Sequence, residues 1–278
     1  MCCILHIDDA CHSIKRYCIT FYNIIMIRGV LLDLSGVLYV GNEPLPGADK
    51  AVQQLTDAGL PVRYITNTTR KTSDAILKQL AVMQFHIRSD ELFTAPIAAK
   101  DYLKKNSLVP YLLIHPKLES EFIEYNQRTD INAVLVGDAG DGFTYNKMNA
   151  AFRLIRKGAA FLALGMNRYF RDGDHFSLDA GPFVHALEFA TGKNATVIGK
   201  PAIEFYMSAV NAMNCKPEEV IMMGDDVEAD VIGAVNAGLQ GILVQTGKYT
   251  KGDESQLDQN AHCEKDISAA VEYILKNR

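Results

Sequence analysis

The sequence of 278 residues has no long hydrophobic run and no excess of positive charge. A helix that crosses a bilayer needs roughly 20 consecutive apolar residues, and no segment of the chain approaches that length. The net charge of −5 argues against a general surface for nucleic acid or for anionic lipid. Internal repeats are absent as well. With 48% hydrophobic and 22% charged residues, the composition is that of a globular protein, and we expect neither membrane nor nucleic-acid partners.

Paired cysteines are also lacking. Four of the six cysteines fall in the first 18 residues without any C-x-x-C spacing, and Cys215 and Cys263 lie far apart. A metal site of the early cysteines with nearby histidines is an alternative, but it lacks the usual ligand spacing. No cationic start precedes an apolar core, so a signal peptide is not indicated. We predict a disulfide-free protein, cytoplasmic or nuclear, whose residues 1–26 form a disordered extension.

Short apolar runs alternate with amphipathic segments along most of the chain. The run 30–32 is typical of a strand that is buried on both faces, and a second strand is predicted over 61–65. Helices are predicted over 47–58 and over 73–83, with Ser73 as the N-cap of the second. Strand, helix, strand and helix in succession predict a doubly wound, Rossmann-like parallel α/β sheet.

The middle of the chain repeats this alternation, with strands predicted over 111–114, 133–136 and 161–164. No residue there completes a catalytic set, so we interpret residues 96–189 as an inserted second α/β domain. The first domain then comprises residues 27–95 and 190–278. Its sheet is predicted to resume at Thr196.

Polar side chains follow several strands of the first domain. They are Asp33, then Thr66 and Asn67, then Lys200, then Asp225 with Asp226 and Asp230. Each alone has a structural explanation, since Asp, Thr and Asn favour turns and helix caps and Lys is usually solvated. Ligands of α/β sheets, however, bind beyond the carboxyl ends of the strands, where these residues would meet. The repulsion between their carboxylates would be removed by a divalent cation, and Mg²⁺ prefers such oxygens.

The combined set suits phosphoryl transfer. An Asp can act as the nucleophile, while a cation, the amine of Lys200 and the hydroxyl of Thr66 neutralise and position the phosphoryl oxygens. The residues therefore predict a Mg²⁺-dependent enzyme that acts on a phosphate.

The same segments resemble the four motifs of the haloacid dehalogenase superfamily. They are residues 33–37 (DLSGV), 66–67 (TN), 199–201 (GKP), and 224–226 (GDD) followed by Asp230. Their order and the large insert between the second and third motifs look like the NagD-like branch, whose members carry an α/β cap. Within that branch, residues 32–39, 110–115 and 179–183 look closest to the phospholysine phosphohistidine inorganic pyrophosphate phosphatases and their little-characterised paralogues.

The resemblance implies roles for the residues of the first three motifs. Asp33 would be the nucleophile that becomes an aspartyl-phosphate. Thr66 would bind the phosphoryl group, and Asn67 would help to orient that loop. Lys200 would bridge the nucleophile and the phosphate.

The resemblance also implies a set of Mg²⁺ ligands. Asp33, Asp225 and the backbone carbonyl of Ser35 would coordinate the ion directly. Asp230 would act nearby or through a water molecule, supported by Asp226.

Position 35 departs from the usual pattern. Phosphatases of this superfamily commonly carry a second Asp two residues after the nucleophile, as general acid and base, and this chain has Ser35. A hydroxyl cannot protonate an alkoxide near neutral pH, and general acid–base help is worth ~10²–10⁴ in rate. We therefore predict leaving groups that need little protonation, as in pyrophosphate and phosphohistidine. Phospholysine, the other P–N phosphate predicted as a substrate, fits less well unless its nitrogen arrives already protonated. The alternatives are a phosphomonoesterase of the phosphoglycolate, pyridoxal phosphate or 4-nitrophenyl phosphate type, and a weakly active binding or regulatory homologue.

Residues 167–175 form a polar, charged and aromatic stretch after a predicted strand. It is typical of a hairpin, since Asp-Gly is a common turn. The functional alternative is a loop over the active site in which Arg168 or Arg171 binds a substrate anion. The predicted partner is a small-molecule phosphate or a phosphorylated side chain, and the resemblance implies a homodimer through the cap.

Overall fold

The computed structural model describes residues 26–172 and 175–278. Its strands, in chain order, are β1 (Gly29–Asp33), β2 (Tyr39–Val40), β3 (Glu43–Pro44), β4 (Val62–Thr66), β5 (Leu92–Thr94), β6 (Pro110–Leu113), β7 (Ala133–Val136), β8 (Ala160–Ala163), β9 (Tyr169–Asp172), β10 (His175–Leu178), β11 (Thr196–Val197), β12 (Val220–Gly224), β13 (Gln240–Val244) and β14 (Ala261–Glu264). Its α-helices are α1 (Ala48–Asp57), α2 (Ser73–Val82), α3 (Ala95–Lys105), α4 (Tyr145–Arg156), α5 (Ala180–Thr191), α6 (Ile203–Asn211), α7 (Gly233–Asn236) and α8 (Ile267–Lys276). Apart from Met26, the predicted disordered extension over 1–26 lies outside the described residues.

Six parallel strands form the larger sheet, in the order β14-β13-β12-β1-β4-β5. The central strand β1 is buried along its whole length because helices cover both faces of the sheet. Leu32 packs in a cluster with residues of α1, α2 and α8, whereas Leu31 packs in a cluster with residues of α6 and α7. Successive side chains of a strand point to opposite faces, so these two clusters are the two layers of a doubly wound core. The predicted α/β fold class is confirmed.

A second parallel sheet has the order β11-β8-β7-β6. One face packs on α3 and on the 3₁₀-helical segment Pro116–Tyr125, and the other packs on α4 and α5. The inserted α/β unit is therefore present, and we refer to this sheet with its helices as the cap. The division into residues 27–95 plus 190–278 and residues 96–189 stays a prediction.

Some local predictions were wrong. The prediction that the larger sheet resumes at Thr196 fails because β11 pairs with β8 at the edge of the cap sheet. The N-cap of α2 is Thr72, whose hydroxyl accepts a hydrogen bond from the backbone N–H of Ala75 at 3.2 Å, and is not Ser73. The segment that follows β12 is helical: a π-helical stretch, Val227–Ile232, is followed by the short α7.

The stretch after β8 does form a hairpin. β9 pairs with β10 in antiparallel register, with Phe170 opposite Ser177, while residues 173–174 lie outside the described part. Cys215 and Cys263, the two cysteines within the described ranges, are both free thiols. Among the helices described, none has the length and apolar character that a membrane span requires.

Candidate active site

The predicted site residues come together at one edge of the larger sheet. Because β1, β4 and β12 are neighbours in this sheet, their carboxyl ends lie side by side. Five polar side chains there are almost fully buried: Asp33, Thr66, Lys200, Asp225 and Asp230. Buried polar groups are costly unless they satisfy one another, so this cluster has a function or a ligand to justify it.

Lys200 connects two of the buried carboxylates. Its Nζ donates hydrogen bonds to Asp33 Oδ1 and, at 2.5 Å, to Asp230 Oδ1. Burial alone would lower the pKa of this amine, but the charges of Asp230 and Asp33 outweigh burial and raise the pKa. The amine therefore stays protonated beside Asp33, where a positive charge would meet a substrate phosphoryl group.

Asn67 fixes the backbone that carries Lys200. The side-chain amide of Asn67 donates to the carbonyl of Lys200 at 2.8 Å, and its Oδ1 accepts from the backbone N–H of Lys200, also at 2.8 Å. Gly199 allows this close approach, since a Cβ at that position would lie 2.4 Å from Asn67 Oδ1. Asn67 thus ties the loop after β4 to the loop after β11.

Thr66 and its neighbours shape the loop after β4. The Thr66 hydroxyl accepts a hydrogen bond from the backbone N–H of Thr68 at 3.1 Å and lies 3.0 Å from the Thr68 hydroxyl. This compact turn places two hydroxyls at the carboxyl end of β4, beside Asp33 at the end of β1.

Asp33, Asp225 and Asp230 form an acidic cluster in which one carboxylate oxygen of each lies within 4.8 Å of the others. Burial, together with the charges of Asp33 and Asp230, raises the pKa of Asp225 well above its usual value. Burial also raises the pKa of Asp230, to about 7, although Lys200 opposes the rise. Lys200 thus contacts two of the three buried carboxylates, Asp33 and Asp230, but not Asp225.

This donor set fits a divalent cation such as Mg²⁺. The cation would bind hard oxygen ligands and cancel the negative charge that, together with burial, raises the two pKa values. Asp230 has both oxygens engaged, one by Lys200 and one by the backbone N–H of Asp226 at 3.2 Å. Asp33 and Asp225 are therefore the carboxylates that we expect to hold the ion, with Asp230 beside them, and the backbone carbonyl of Ser35 stays a ligand that only the resemblance implies.

Two glycines let separate loops reach Asp225. Gly36 and Gly247 adopt positive φ angles of 85° and 60°, which glycine tolerates best. A Cβ at Gly36 would lie 1.9 Å from Asp225 Oδ2, and one at Gly247 would lie 2.0 Å from the same oxygen. The hydroxyl of Thr246 donates to the carbonyl of Gly36 and joins the two loops.

Sequence reasoning missed Lys248. Its backbone N–H donates to Asp225 Oδ2 at 2.7 Å, and its Nζ lies 3.2 Å from Asp226 Oδ2. Burial would raise the pKa of Asp226, but the charge of Lys248 lowers it below its usual value. The position of Lys248 shortly after β13, a strand of the same sheet, was the signal that could have identified it.

A cavity of about 500 Å³ opens over the buried cluster. The core contributes Asp33, Thr66, Lys200 and the exposed Ser35, and the cap contributes Phe170, Phe176 and Asp179. Burial raises the pKa of the Asp179 carboxyl. The nucleophile candidate therefore lies at the bottom of a cleft between core and cap, with Ser35 beside it.

The two arginines predicted for substrate binding are not both described. Arg168 Nη2 lies 3.2 Å from Glu228 Oε1 in an exposed ion pair. It lines a second cavity, of about 340 Å³, which shares Asp225 and Lys248 with the first. The structure therefore does not place Arg168 beside Asp33. Arg171 belongs to β9, and its side chain lies outside the described part of the chain.

Known proteins with similar sequences belong to a family of hydrolases, in agreement with this site. The family model "Haloacid dehalogenase-like hydrolase" matches residues 30–128, and a related HAD-hydrolase-like model matches residues 197–270. Human haloacid dehalogenase-like hydrolase domain-containing protein 2 is 40% identical over 253 residues, which cover 90% of this chain and 97% of that protein. Phospholysine phosphohistidine inorganic pyrophosphate phosphatase from Danio rerio is 39% identical over 259 residues, covering 91% of this chain and 96% of that protein.

Solved structures share the fold. A 4-nitrophenylphosphatase from Thermotoga maritima superposes with a TM-score of 0.82 at 23% identity, covering 90% of this chain and 98% of that one. NagD from E. coli superposes with a TM-score of 0.77 at 23% identity, covering 87% and 98%. The chain therefore has the fold of these structures, belongs to the haloacid dehalogenase-like hydrolase family and is an enzyme of the phosphatase type.

Proposed function

We propose that this enzyme is a Mg²⁺-dependent phosphatase that transfers the phosphoryl group of pyrophosphate or of a P–N phosphate to Asp33 and then to water. The observation that carries the proposal is the contact of Lys200 Nζ with both Asp33 and Asp230 inside the buried acidic cluster. A structural ion pair would not need a third carboxylate, Asp225, in the same cluster, or a cleft above it.

The residues divide the chemistry between them. The Asp33 carboxylate attacks phosphorus, so that an O–P bond forms while the bond from phosphorus to the leaving group breaks and the leaving group keeps the electron pair. Lys200 and the Thr66 hydroxyl hold phosphoryl oxygens in place, and their donors balance negative charge as it shifts. A bound Mg²⁺ would supply further charge neutralisation at the same oxygens. Water then cleaves the aspartyl-phosphate and restores the carboxylate.

Ser35 supports the choice of leaving group. It is exposed to the cavity beside Asp33, where a general acid would have to stand, and a hydroxyl cannot serve as that acid. Phosphate bound to Mg²⁺ and an imidazole leave without strong acid help, whereas an alkoxide does not. The name of the Danio rerio relative lists phospholysine, phosphohistidine and inorganic pyrophosphate, which agrees with this proposal.

The test is phosphate release in the presence of Mg²⁺ from pyrophosphate, phosphoramidate and a simple alkyl phosphate. We expect release from the first two substrates, little from the third, and none in Asp33→Asn. Asp49→Asn, on the exposed side of α1, is the matched control and should behave like the natural chain. Preference for the alkyl phosphate would overturn the leaving-group proposal. Mg²⁺-dependent stabilisation without hydrolysis of any phosphate would favour a binding protein.

A further inference from the structure

Arg70 holds a fixed position where the core meets the cap. Its Nε donates to Asp138 Oδ2, and its Nη2 lies 3.3 Å from Asp138 Oδ1. Asp138 follows β7 of the cap and is buried, and its Oδ1 also accepts from the backbone N–H of Gly140 at 3.0 Å. The backbone N–H of Asp138 donates to the hydroxyl of Thr69, next to Arg70, at 3.2 Å. A two-point contact of this kind sets both the place and the plane of a guanidinium.

The same guanidinium faces the catalytic cavity. Arg70 lines the cavity that contains Asp33, and its guanidinium carbon lies 4.3 Å from the centre of the Phe170 ring. Its side chain keeps 34% of its surface exposed. An arginine has five N–H donors. Asp138 accepts from Nε and Nη2 of Arg70, so other N–H groups remain to bind a ligand.

Lys71 adds a second positive charge to this part of the cavity. It lines the same cavity, and its Nζ donates to Gln79 Oε1. Burial, and to a lesser extent the charge of Lys117, lower the pKa of Lys71. Asp138 balances one of these charges. The described partner of the Lys71 amine is the neutral amide of Gln79, and none of the described ion pairs includes Lys71, so its positive charge is available to a ligand.

The chain connects these two cations directly to the phosphoryl site. Thr66 ends β4, and Arg70 and Lys71 follow within the same loop, before α2 begins at Ser73. One loop therefore contributes to the same cavity a hydroxyl beside Asp33 and two cationic side chains.

We propose that Arg70 and Lys71 form a second anion site, which binds an anionic leaving group while Asp33 receives the phosphoryl group. This inference rests on the proposed function and narrows it to substrates with a second anionic group, above all diphosphates. The departing phosphate keeps the electron pair of the broken P–O bond, and the two cations balance the charge that develops on it. A P–N substrate with a neutral leaving group would gain nothing from this site.

The test compares three substrates in Arg70→Gln and Lys71→Gln. Pyrophosphate and imidodiphosphate carry a second phosphate, whereas phosphoramidate offers a P–N bond without one. We expect each variant to raise KM for the two diphosphates about tenfold or more, because each loses one charge-assisted hydrogen bond. We expect KM for phosphoramidate to stay within about twofold. Arg128→Gln is the control, because Arg128 pairs with Asp130 on the surface and does not line the cavity.

The outcomes separate this inference from the proposed function. An equal rise in KM for all three substrates, or no change in KM for any of them, would overturn the second anion site. Asp33-dependent hydrolysis would still stand as the proposed function. Arg70→Gln leaves Asp138 buried without its partner, so it could disturb the cap. Lys71→Gln removes no partner of a buried carboxylate and therefore tests the site independently. The value of kcat for phosphoramidate reports in each variant whether the catalytic site is intact.

Discussion

Removal of the divalent cation should make the stability of the protein fall as the pH rises. Burial, with the charges of Asp33 and Asp226, raises the pKa of Asp230 from 3.8 to about 7 against the opposing effect of Lys200. A carboxyl whose pKa is higher in the folded than in the unfolded state binds more protons when folded, so raising the pH favours unfolding. Ordinary acid denaturation has the opposite sign.

The size of the effect follows from the pKa shift of Asp230. Stability is lost at ~1.4 kcal/mol per pH unit between the unfolded and the folded pKa. From about pH 5 to about pH 8 the loss is about 3 kcal/mol for this one group, or roughly 6–12 °C in Tm. The raised pKa of Lys200 and the lowered pKa of Asp226 lie outside this window, so their contributions stay constant across it.

The assay is thermal unfolding in EDTA and in saturating Mg²⁺ across this pH range. The difference between the two Tm values cancels groups remote from the site, such as His115, whose pKa is lowered by burial. We expect this difference to grow as the pH rises. Asp225→Asn keeps the shape of the side chain and an acceptor for the N–H of Lys248, but it removes a carboxylate charge. This variant should be more stable than the natural chain in EDTA at about pH 8 and should respond less to Mg²⁺.

Two results would refute this reasoning. A Tm difference that is independent of pH would mean that the carboxylates do not give up protons to the ion. Full Mg²⁺ stabilisation of Asp225→Asn would mean that the ion binds elsewhere. Asp49→Asn again serves as the control for the loss of a surface charge.

Three further substitutions test other parts of the site. Ser35→Asp should raise turnover of an alkyl phosphate by as much as ~10²-fold and raise turnover of pyrophosphate much less. Steady-state kinetics on both substrates measure this, and equal gains would contradict the role given to position 35. Gly36→Ala should lower the free energy of unfolding by about 1–2 kcal/mol because of the positive φ at this position. It should also weaken stabilisation by Mg²⁺, because the new Cβ would clash with Asp225. Melting curves with and without Mg²⁺ measure both effects. Arg168→Gln should leave KM for pyrophosphate within about twofold, since the ion pair of Arg168 with Glu228 is exposed. If the addition of Arg171→Gln to this variant raises KM, Arg171 is the arginine that binds substrate.

The sequence predicted the core and the acidic cluster because both depend on local patterns. The run that ends at Asp33 is apolar at every position, as a strand buried on both faces must be, and the structure buries all of β1. Parallel strands place their carboxyl ends at one edge, so the position of Asp225 after β12 sufficed to bring it toward Asp33. Lys200 reaches Asp33 by another route, because it follows β11 of the cap sheet and its backbone is held by Asn67.

The contacts between loops could not be predicted in this way. Arg70 and Asp138 lie 68 residues apart, and neither ends a run that a period of 2 or 3.6 residues would identify. The strand β11 has two residues, too few to reveal which sheet it joins. Lys248 acts partly through its backbone N–H, which any residue could supply. These features depend on how the cap and the loops pack.

The most direct test of the central claim is a search for the aspartyl-phosphate itself. The enzyme would be mixed rapidly with radiolabelled pyrophosphate and Mg²⁺, quenched in acid, and examined for label that hydroxylamine releases, as it does from an acyl phosphate. We predict such label on the peptide that contains Asp33, formed as fast as phosphate is released, and none in Asp33→Asn. Turnover without any labelled protein, or label that persists in Asp33→Asn, would contradict the assignment of Asp33 as the nucleophile.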